Sequence, residues 1–196
     1  MIVITNPTAI ANEINIINIL FKNGLELLHI RKPELSEVKT ALFIHQIKKE
    51  YWQKLVLHDH HHLAAVFGIT HIHFSETKRK ETKPDSLLKT IMFLSTSTHS
   101  IEEFNSLSNV FDYAFLSPVF PSISKENYQS ETNLLETIKN RTNFDSKLFA
   151  LSGIESGNIT QVLNSGFDDV ALLGTIWNSK HPIENFKKCQ EIVLSY

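Results

Sequence analysis

The chain has 196 residues, a formal net charge of −2 and a hydrophobic fraction of 42%. These values are typical of one soluble globular domain and exclude the basic surface that nucleic-acid binding requires. No apolar run approaches the ~20 residues of a membrane span, and no signal-peptide pattern follows Met1, so we expect a cytoplasmic protein that binds neither nucleic acid nor membrane. Cys189 is the single cysteine; it excludes an intramolecular disulfide, and we interpret it as a packing residue.

Short apolar segments alternate with longer amphipathic segments along the chain, which is the pattern of strands alternating with helices. The predicted strands are 2–4, 27–30, 55–57, 71–74, 92–95, 113–116, 148–151 and 170–173. The predicted helices are the segment from Ile10 to Phe21, one capped by Ser36, and then 61–67, 100–107, 132–142, 158–164 and 183–194. The polar segment 75–85 follows the fourth strand and is predicted to be a mobile loop, because it has no apolar area to bury.

Eight strand–helix units with almost continuously apolar strands predict a parallel sheet covered by helices. The same count matches a closed barrel, so we predict an α/β fold in which residues 1–196 form a single-domain (β/α)₈ TIM barrel. An open, doubly wound sheet is the structural alternative. Against it, neither G-x-G-x-x-G nor G-x-x-x-x-G-K-[ST] follows the first strand.

Polar residues gather where the predicted strands end, which is the edge that forms the active site of such a barrel. They are Arg31, Lys32, His58, Asp59, Glu76, Ser97, Thr98, His99, Ser122, Ser124 and Lys125. Basic and hydroxyl side chains prevail among them, which predicts an anionic ligand. Gly153 and Gly174, after strands seven and eight, let backbone N–H groups approach a phosphate at the usual phosphate-binding corner of the fold, although ordinary turns would also explain both glycines.

Histidines are concentrated around the third and fourth predicted strands, at positions 58, 60–62, 71 and 73. Their spacing does not match that of structural zinc sites. His71 and His73 share one face of a strand, but zinc would also need His58 or Asp59 beside them. We favour a hard cation such as Mg²⁺, held by Asp59 and by the phosphate groups of a ligand, with the histidines in the core or on the surface.

Several motifs, spread over almost the whole chain, match the pattern of one known family. STSTHS (95–100) and DYAFLSPVFPSISK (112–125) resemble its G-V-S-T-H-S and A-D-Y-x-G-P-V-F-x-T-x-T-K. LHIRKP (28–33) resembles Q-L-R-x-K, LVLHDHHHLA (55–64) resembles I-I-N-D-x-x-D-L-A, and GITHIHFS (68–75) resembles G-A-D-G-V-H-L-G. FALSGIESGNI (149–159) resembles A-I-G-G-I-x-x-x-N, and GFDDVA (166–171) resembles G-A-D-G-V-A. Together the motifs resemble the thiamin phosphate synthase/TenI family.

The resemblance implies an enzyme that joins an aminopyrimidine pyrophosphate to a thiazole phosphate and releases pyrophosphate. In the family picture the C–O bond to pyrophosphate ionises first, so the leaving group needs charge stabilisation. By resemblance Arg31, Ser97, Ser124 and Lys125 contact pyrophosphate, with Arg31, Ser97 and Lys125 as the catalytic candidates. Asp59 would hold Mg²⁺, Gly153, Leu173 and Gly174 would bind the thiazole phosphate, and His29, His99 and Ser122 are further substrate-binding candidates.

The chain departs from the family pattern at several of these positions. Pro33 replaces the second basic residue of Q-L-R-x-K, and the adjacent Lys32 is expected to point elsewhere. His58 replaces the Asn of the metal-site Asn-Asp pair, and Gly174 replaces a serine. Lys78 replaces the second metal acid, so we predict that Glu76, two residues earlier, is the second ligand if its loop adjusts.

Three functions stay open. A synthase is favoured because Arg31, Asp59, Ser97, Ser124 and Lys125 are all retained. The alternatives are a TenI-like thiazole tautomerase, in which His99 or His29 would have to be the base because Ser117-Pro118 offers no histidine, and a non-catalytic barrel that binds a thiamin precursor or a partner. Each implies small phosphorylated ligands, and the oligomeric state, a homo-oligomer included, is open.

Overall fold

The computed structural model describes residues 1–82, 84, 92–122 and 132–196. Eight parallel strands close into a barrel in chain order. They are β1 Ile2–Ile4, β2 Leu27–Ile30, β3 Leu55–Leu57, β4 His71–Phe74, β5 Phe93–Thr98, β6 Tyr113–Leu116, β7 Lys147–Ala150 and β8 Asp169–Leu172. The barrel closes where β8 pairs with β1, with Ile2 opposite Ala171. The predicted (β/α)₈ barrel is therefore confirmed, and the open-sheet alternative is wrong.

Helices follow the strands and cover the outside of the barrel. They are α1 Glu13–Lys22, α2 Glu37–Gln46, α3 Leu63–Phe67, α4 Glu76–Thr82, α5 Ile101–Asn105, α6 Leu134–Thr137, α7 Ile159–Asn164, α8 Gly174–Trp177 and α9 Pro182–Leu194. Ser36 caps α2 as predicted, since its side chain accepts a hydrogen bond from the N–H of Lys39. Within the described ranges, no helix is long and apolar enough to cross a membrane.

Alternate residues of each strand pack on opposite sides of the barrel wall. The outward residues, such as Leu28, Leu57 and Leu148, form one continuous core with the helices. The inward residues of β1, β6, β7 and β8 fill the interior with apolar and aromatic groups: Ile2, Ile4, Tyr113, Phe115, Phe149 and Ala171. The inward residues of β2 to β5 are largely histidine and serine, so one half of the barrel interior is polar.

The segment predicted to be a mobile loop over 75–85 is a helix over most of its described residues, α4. Polar contacts replace the apolar burial that the segment lacks. The carboxylate of Glu76 pairs with Lys80 one turn later, and Arg79 donates to Thr96 Oγ1 at 2.9 Å and to the Ser97 carbonyl at 2.8 Å. Arg79 also pairs with Glu103 of α5. The prediction was wrong because apolar periodicity does not detect a helix stabilised in this way.

Cys189 is confirmed as a packing residue. Its side chain is completely buried in the outer core, on α9. Burial raises the pKa of its thiol to about 11, so it is protonated at neutral pH.

Candidate functional site

A continuous chain of hydrogen bonds runs through the polar half of the barrel. It connects six side chains from four strands and the end of β3, in the order His58, His29, Tyr113, Ser95, His73 and Ser97. His29 Nδ1 lies 2.9 Å from His58 Nε2, and His29 Nε2 lies 2.7 Å from the Tyr113 hydroxyl. Tyr113 bonds to Ser95. His73 then joins the two serines, with Nδ1 2.9 Å from Ser95 Oγ and Nε2 2.9 Å from Ser97 Oγ.

Each side chain between the two ends of this hydrogen-bond chain has both a donor and an acceptor role satisfied when all groups donate in the same direction along it. Each imidazole nitrogen donates or accepts according to the tautomer, and each hydroxyl does both. If donation runs from His58 towards Ser97, the Nε2–H of His73 donates to Ser97 Oγ, and the Ser97 hydroxyl is left to donate to a ligand. Ser97 is the half-buried end of the chain, whereas His29, His73 and Ser95 are buried.

The three histidines of the chain are uncharged at neutral pH. Burial lowers the pKa of His29 and His58 well below the ordinary value, and neighbouring histidines lower each further. Burial lowers the pKa of His73 to about 3, with smaller contributions from the charges of Arg31, Arg79 and Lys78. Burial also raises the pKa of Tyr113, which therefore keeps its proton. The polar half of the interior is thus a neutral hydrogen-bonding layer.

The same three histidines could be taken for a metal centre. Within the part of the chain that is described, His29, His58 and His73 are the one group of three or more histidine, cysteine or acidic residues whose ligand atoms lie within 4.8 Å of one another. The rings of His58 and His73 are stacked, however, with 4.1 Å between centroids and 26° between planes, so their in-plane lone pairs do not converge on one point. His71, which the sequence had placed beside His73, instead stacks on Phe93. We interpret the cluster as part of the hydrogen-bond chain.

The acids predicted to bind Mg²⁺ both have an ammonium partner. Lys78, from α4, pairs with the carboxylate of Asp59 and donates to the carbonyl oxygen of His58 at 3.2 Å. Glu76 pairs with Lys80 and lies 3.8 Å from the ring of His99. A divalent cation would have to displace Lys78 from Asp59, and Glu76 is directed to other partners. These residues therefore do not fit the predicted Mg²⁺ site.

Three further predicted residues, Arg31, His99 and Ser122, lie after the carboxyl ends of their strands. Arg31 follows β2 and is exposed, and its backbone N–H donates to Thr5 Oγ1 at 2.9 Å. His99 follows β5 and is exposed, with Nδ1 2.8 Å from the carbonyl oxygen of Ser117. Ser122 is half-buried after β6. Ser124 and Lys125 lie outside the described residues.

The positions of His29 and Lys32 do not suit direct contact with a ligand. His29 is completely buried and contacts His58 and Tyr113, so the predicted contact with substrate is not supported by its position. Lys32 points away from the mouth, as expected. Its ammonium group lies 2.6 Å from Glu13 in a buried ion pair.

The predicted phosphate corner lies at the ends of β7 and β8. Gly153 has a φ of +67°, and a Cβ there would lie 2.5 Å from Phe120 Cβ and 2.6 Å from the Pro121 carbonyl oxygen. This glycine thus permits close approach of the segment that follows β6. Gly174 begins α8 and borders a cavity of about 250 Å³ together with Ser156 and Thr175. Leu173 is half-buried between the barrel interior and the outer core, and phosphate binding at this corner stays a prediction.

Arg79 is the functional neighbour that the sequence did not reveal. It connects α4 to the backbone of Ser97 and pairs with Glu103. Its only signal was its place beside Lys78, in a segment that we had predicted to be a loop. The hydrogen-bond chain was also missed, because its members are separated by up to 84 residues and meet only when the barrel closes.

A closed parallel barrel with polar side chains at the carboxyl ends of its strands is the arrangement of (β/α)₈-barrel enzymes. Residues 1–176 match the family model described as thiamine monophosphate synthase (TMP-TENI), and the chain belongs to that family. The family resemblance in the sequence is therefore confirmed, and with it an enzyme of thiamin biosynthesis, a transferase.

Individual relatives agree with this assignment. The chain is 22% identical over 189 residues to a thiamine-phosphate synthase of Caldicellulosiruptor saccharolyticus, covering 94% of this chain and 86% of that protein. The crystal structure of a thiamine phosphate pyrophosphorylase from Bacteroides thetaiotaomicron superposes with a TM-score of 0.77 at 30% identity, covering 98% and 96% of the two chains. A thiamine phosphate pyrophosphorylase from Pyrococcus furiosus, with a TM-score of 0.75 at 14% identity over 99% and 95%, shares the fold.

Proposed function

We propose that this chain joins 4-amino-2-methyl-5-hydroxymethylpyrimidine pyrophosphate to a thiazole phosphate and releases pyrophosphate. The observation that supports this most directly is the contact between Ser97 Oγ and His73 Nε2, at 2.9 Å. With the imidazole proton on Nε2, this contact leaves the Ser97 hydroxyl to donate to a ligand, which supports a donor backed by a neutral ring. Family membership over residues 1–176 supports the same reaction.

In this proposal the residues at the mouth stabilise the leaving group. When the C–O bond to pyrophosphate breaks, the bonding pair leaves with the oxygen, and negative charge accumulates there. With the proton of His73 on Nε2, that N–H donates to Ser97 Oγ, and the Ser97 hydroxyl donates to the departing oxygen. Arg31, Lys125 and the hydroxyls of Ser122 and Ser124 supply further charge and hydrogen bonds to the phosphates.

The neutral histidine layer suits the other product of that step. The pyrimidine methylene becomes a carbocation, which an imidazolium next to it would destabilise by charge repulsion. Because burial keeps the pKa of His73 at about 3, that ring adds no positive charge beneath the site. The thiazole nitrogen then donates its lone pair to the methylene carbon and forms the C–N bond, with the thiazole phosphate at Gly153, Leu173 and Gly174.

A thiazole tautomerase is the second candidate, and the position of His99 favours it. This exposed ring is held by the Ser117 carbonyl at Nδ1, and its Nε2 faces Glu76 at 3.8 Å. A histidine oriented in this way is suited to move a proton. A tautomerase needs neither Mg²⁺ nor a pyrophosphate site, which agrees with the lysine at Asp59.

The two candidates are separated by variants of the pyrophosphate and proton-transfer residues. Purified wild type, Lys125→Ala and His99→Ala are assayed for coupling and for thiazole tautomerisation. The synthase proposal predicts that Lys125→Ala abolishes coupling, whereas His99→Ala retains most of it. Tautomerisation without coupling, lost in His99→Ala and retained in Lys125→Ala, would refute the synthase and support the tautomerase.

The finer features of the family resemblance are also part of this proposal. We expect a cytoplasmic enzyme whose ligands are small phosphorylated thiamin precursors. Phosphate binding at Gly153 and Gly174 is proposed from their place at the ends of β7 and β8. The Mg²⁺ that the resemblance implies is not part of the proposal, because Lys78 pairs with the carboxylate that would hold it.

A further inference from the structure

We infer that the ammonium group of Lys78 takes the place of a divalent cation at Asp59, so that this chain binds pyrophosphate without a metal. The inference rests on the proposed function, because pyrophosphate is the product of that reaction. Lys78 pairs with the Asp59 carboxylate and donates to the His58 carbonyl oxygen at 3.2 Å. Both partners follow β3, at the mouth of the barrel.

The charges at this position differ in kind from those of a metal site. The family motif has an aspartate where this chain has Lys78, and two carboxylates there would attract a divalent cation strongly. Asp59 and Lys78 together have no net charge, so the attraction for a divalent cation is lost. The change from an acid to a lysine also brings a positive charge to the site permanently.

The ammonium group retains the capacity to contact a ligand. It has three N–H donors, and Asp59 and His58 accept two of them among the described residues. The Lys78 side chain is 40% exposed and that of Asp59 is 35% exposed, so solvent and ligands reach the pair. The next residue, Arg79, donates to the Ser97 carbonyl oxygen at 2.8 Å. Lys78 and Ser97 thus belong to neighbouring elements at the mouth of the barrel.

The fold holds Lys78 in this position. The next residue, Arg79, connects α4 to the Ser97 carbonyl at 2.8 Å and to Glu103 of α5. A lysine on a mobile loop would lose much of its binding energy to side-chain and backbone ordering. On an anchored helix the ammonium group is already positioned, which is the requirement for replacing a fixed ion.

Pyrophosphate binding without substrate turnover tests the inference. Calorimetric titration with inorganic pyrophosphate is done in EDTA and in Mg²⁺ for wild type, Lys78→Met and the control Lys139→Met. The control removes an exposed ion pair elsewhere in the chain, between Lys139 and Glu136. We expect wild type and Lys139→Met to bind in EDTA, and Lys78→Met to bind at least about tenfold more weakly, as the loss of one charged hydrogen bond predicts.

The outcomes distinguish this inference from the proposed function. Binding by wild type that requires Mg²⁺ and does not change in Lys78→Met would overturn the inference and leave the synthase proposal intact. Failure of wild type to bind pyrophosphate in either condition would overturn both.

A second variant tests the charge argument by direct cation binding. Free Mn²⁺ is measured by its paramagnetic resonance signal in the presence of wild type, Asp59→Asn, Lys78→Asp and the double variant Asp59→Asn/Lys78→Asp. Restoring the acid should create a Mn²⁺ site in Lys78→Asp that the double variant lacks, with none at Asp59 in wild type. Mn²⁺ binding by wild type that Asp59→Asn abolishes would contradict the inference.

Discussion

At the scale of single residues, the chemistry of Ser97 depends on a partner below it. A serine hydroxyl both donates and accepts, and the His73 ring decides which of these is directed at a ligand. His73 is itself hydrogen-bonded to Ser95, and Tyr113 and His29 follow in the same chain of hydrogen bonds. The role of one residue at the mouth is thus set by neutral groups buried in the barrel.

Replacing Ser97 by alanine tests the donor directly. We expect Ser97→Ala to lower kcat/KM for coupling by about 10²-fold, as for the loss of one preorganised donor to a developing anion. Ser165→Ala, which removes a hydroxyl that donates to the Gln161 carbonyl oxygen just beyond α7, should keep wild-type activity. Full activity of Ser97→Ala in steady-state assays would show that this hydroxyl does not contact the leaving group.

Replacing Tyr113 by phenylalanine interrupts the buried chain without opening a cavity. His29 Nε2 and Ser95 then lose a partner inside the barrel, which should reduce the free energy of unfolding by about 1–3 kcal/mol. Tyr51→Phe is the matched control, because the Tyr51 hydroxyl is at the surface beside Glu50. Denaturant unfolding should show a clear difference between the two variants. Equal stability would mean that the hydrogen-bond chain contributes little to the free energy of unfolding.

At the scale of elements, the candidate site depends on α4, a helix that the sequence did not predict. Its seven residues, Glu76–Thr82, have no buried member. The contacts of Arg79 with β5 and α5 therefore supply the attachment that apolar packing gives to other helices. The helix positions both Lys78 and Glu76, so the contacts that anchor it also fix where these two charges lie at the mouth of the barrel.

Arg79→Ala should release α4. We expect faster amide hydrogen exchange over residues 76–82, unchanged exchange in α9, and weaker pyrophosphate binding because Lys78 is no longer held. Lys80→Met removes only an exposed pair within α4 and should have a small effect, since such pairs contribute about 0.3–0.5 kcal/mol. Unchanged protection of α4 in Arg79→Ala would show that another interaction anchors the helix.

At the scale of the whole molecule, the sequence predicted the features that depend on local periodicity, namely the strands and their closure into a barrel. The alternation of short apolar and amphipathic segments was sufficient for eight strands and a barrel, with strand limits that shifted by a few residues, as at β5, which extends to Thr98. It also predicted polar side chains at the carboxyl ends of the strands, where Arg31, Ser97 and His99 lie. It could not predict α4, whose stability comes from contacts with Thr96 and Glu103, or the His29–Tyr113 contact, which spans 84 residues. Such pairings depend on barrel closure.

The buried histidines should make the whole fold sensitive to acid. The pKa of His73 is about 3 in the folded protein and about 6.5 in the unfolded chain, so below pH 6.5 only the unfolded state takes up the proton. The free energy of unfolding should therefore fall as the pH is lowered from 6.5 to 5, by up to about 1.4 kcal/mol per pH unit for each such histidine.

Urea unfolding at a series of pH values measures this dependence. His73→Gln should reduce the slope by about one proton, whereas His181→Gln, at an exposed site, should leave it unchanged. A slope near zero for wild type between pH 6.5 and 5 would contradict neutral burial of these rings.

The coupling reaction itself tests the central claim most directly. Purified protein is mixed with the aminopyrimidine pyrophosphate and thiazole phosphate, in EDTA and in Mg²⁺, and thiamin phosphate is measured as its fluorescent oxidation product. We predict thiamin phosphate and an equal amount of pyrophosphate in both conditions. No thiamin phosphate in either condition, with thiazole phosphate still bound, would contradict the synthase assignment.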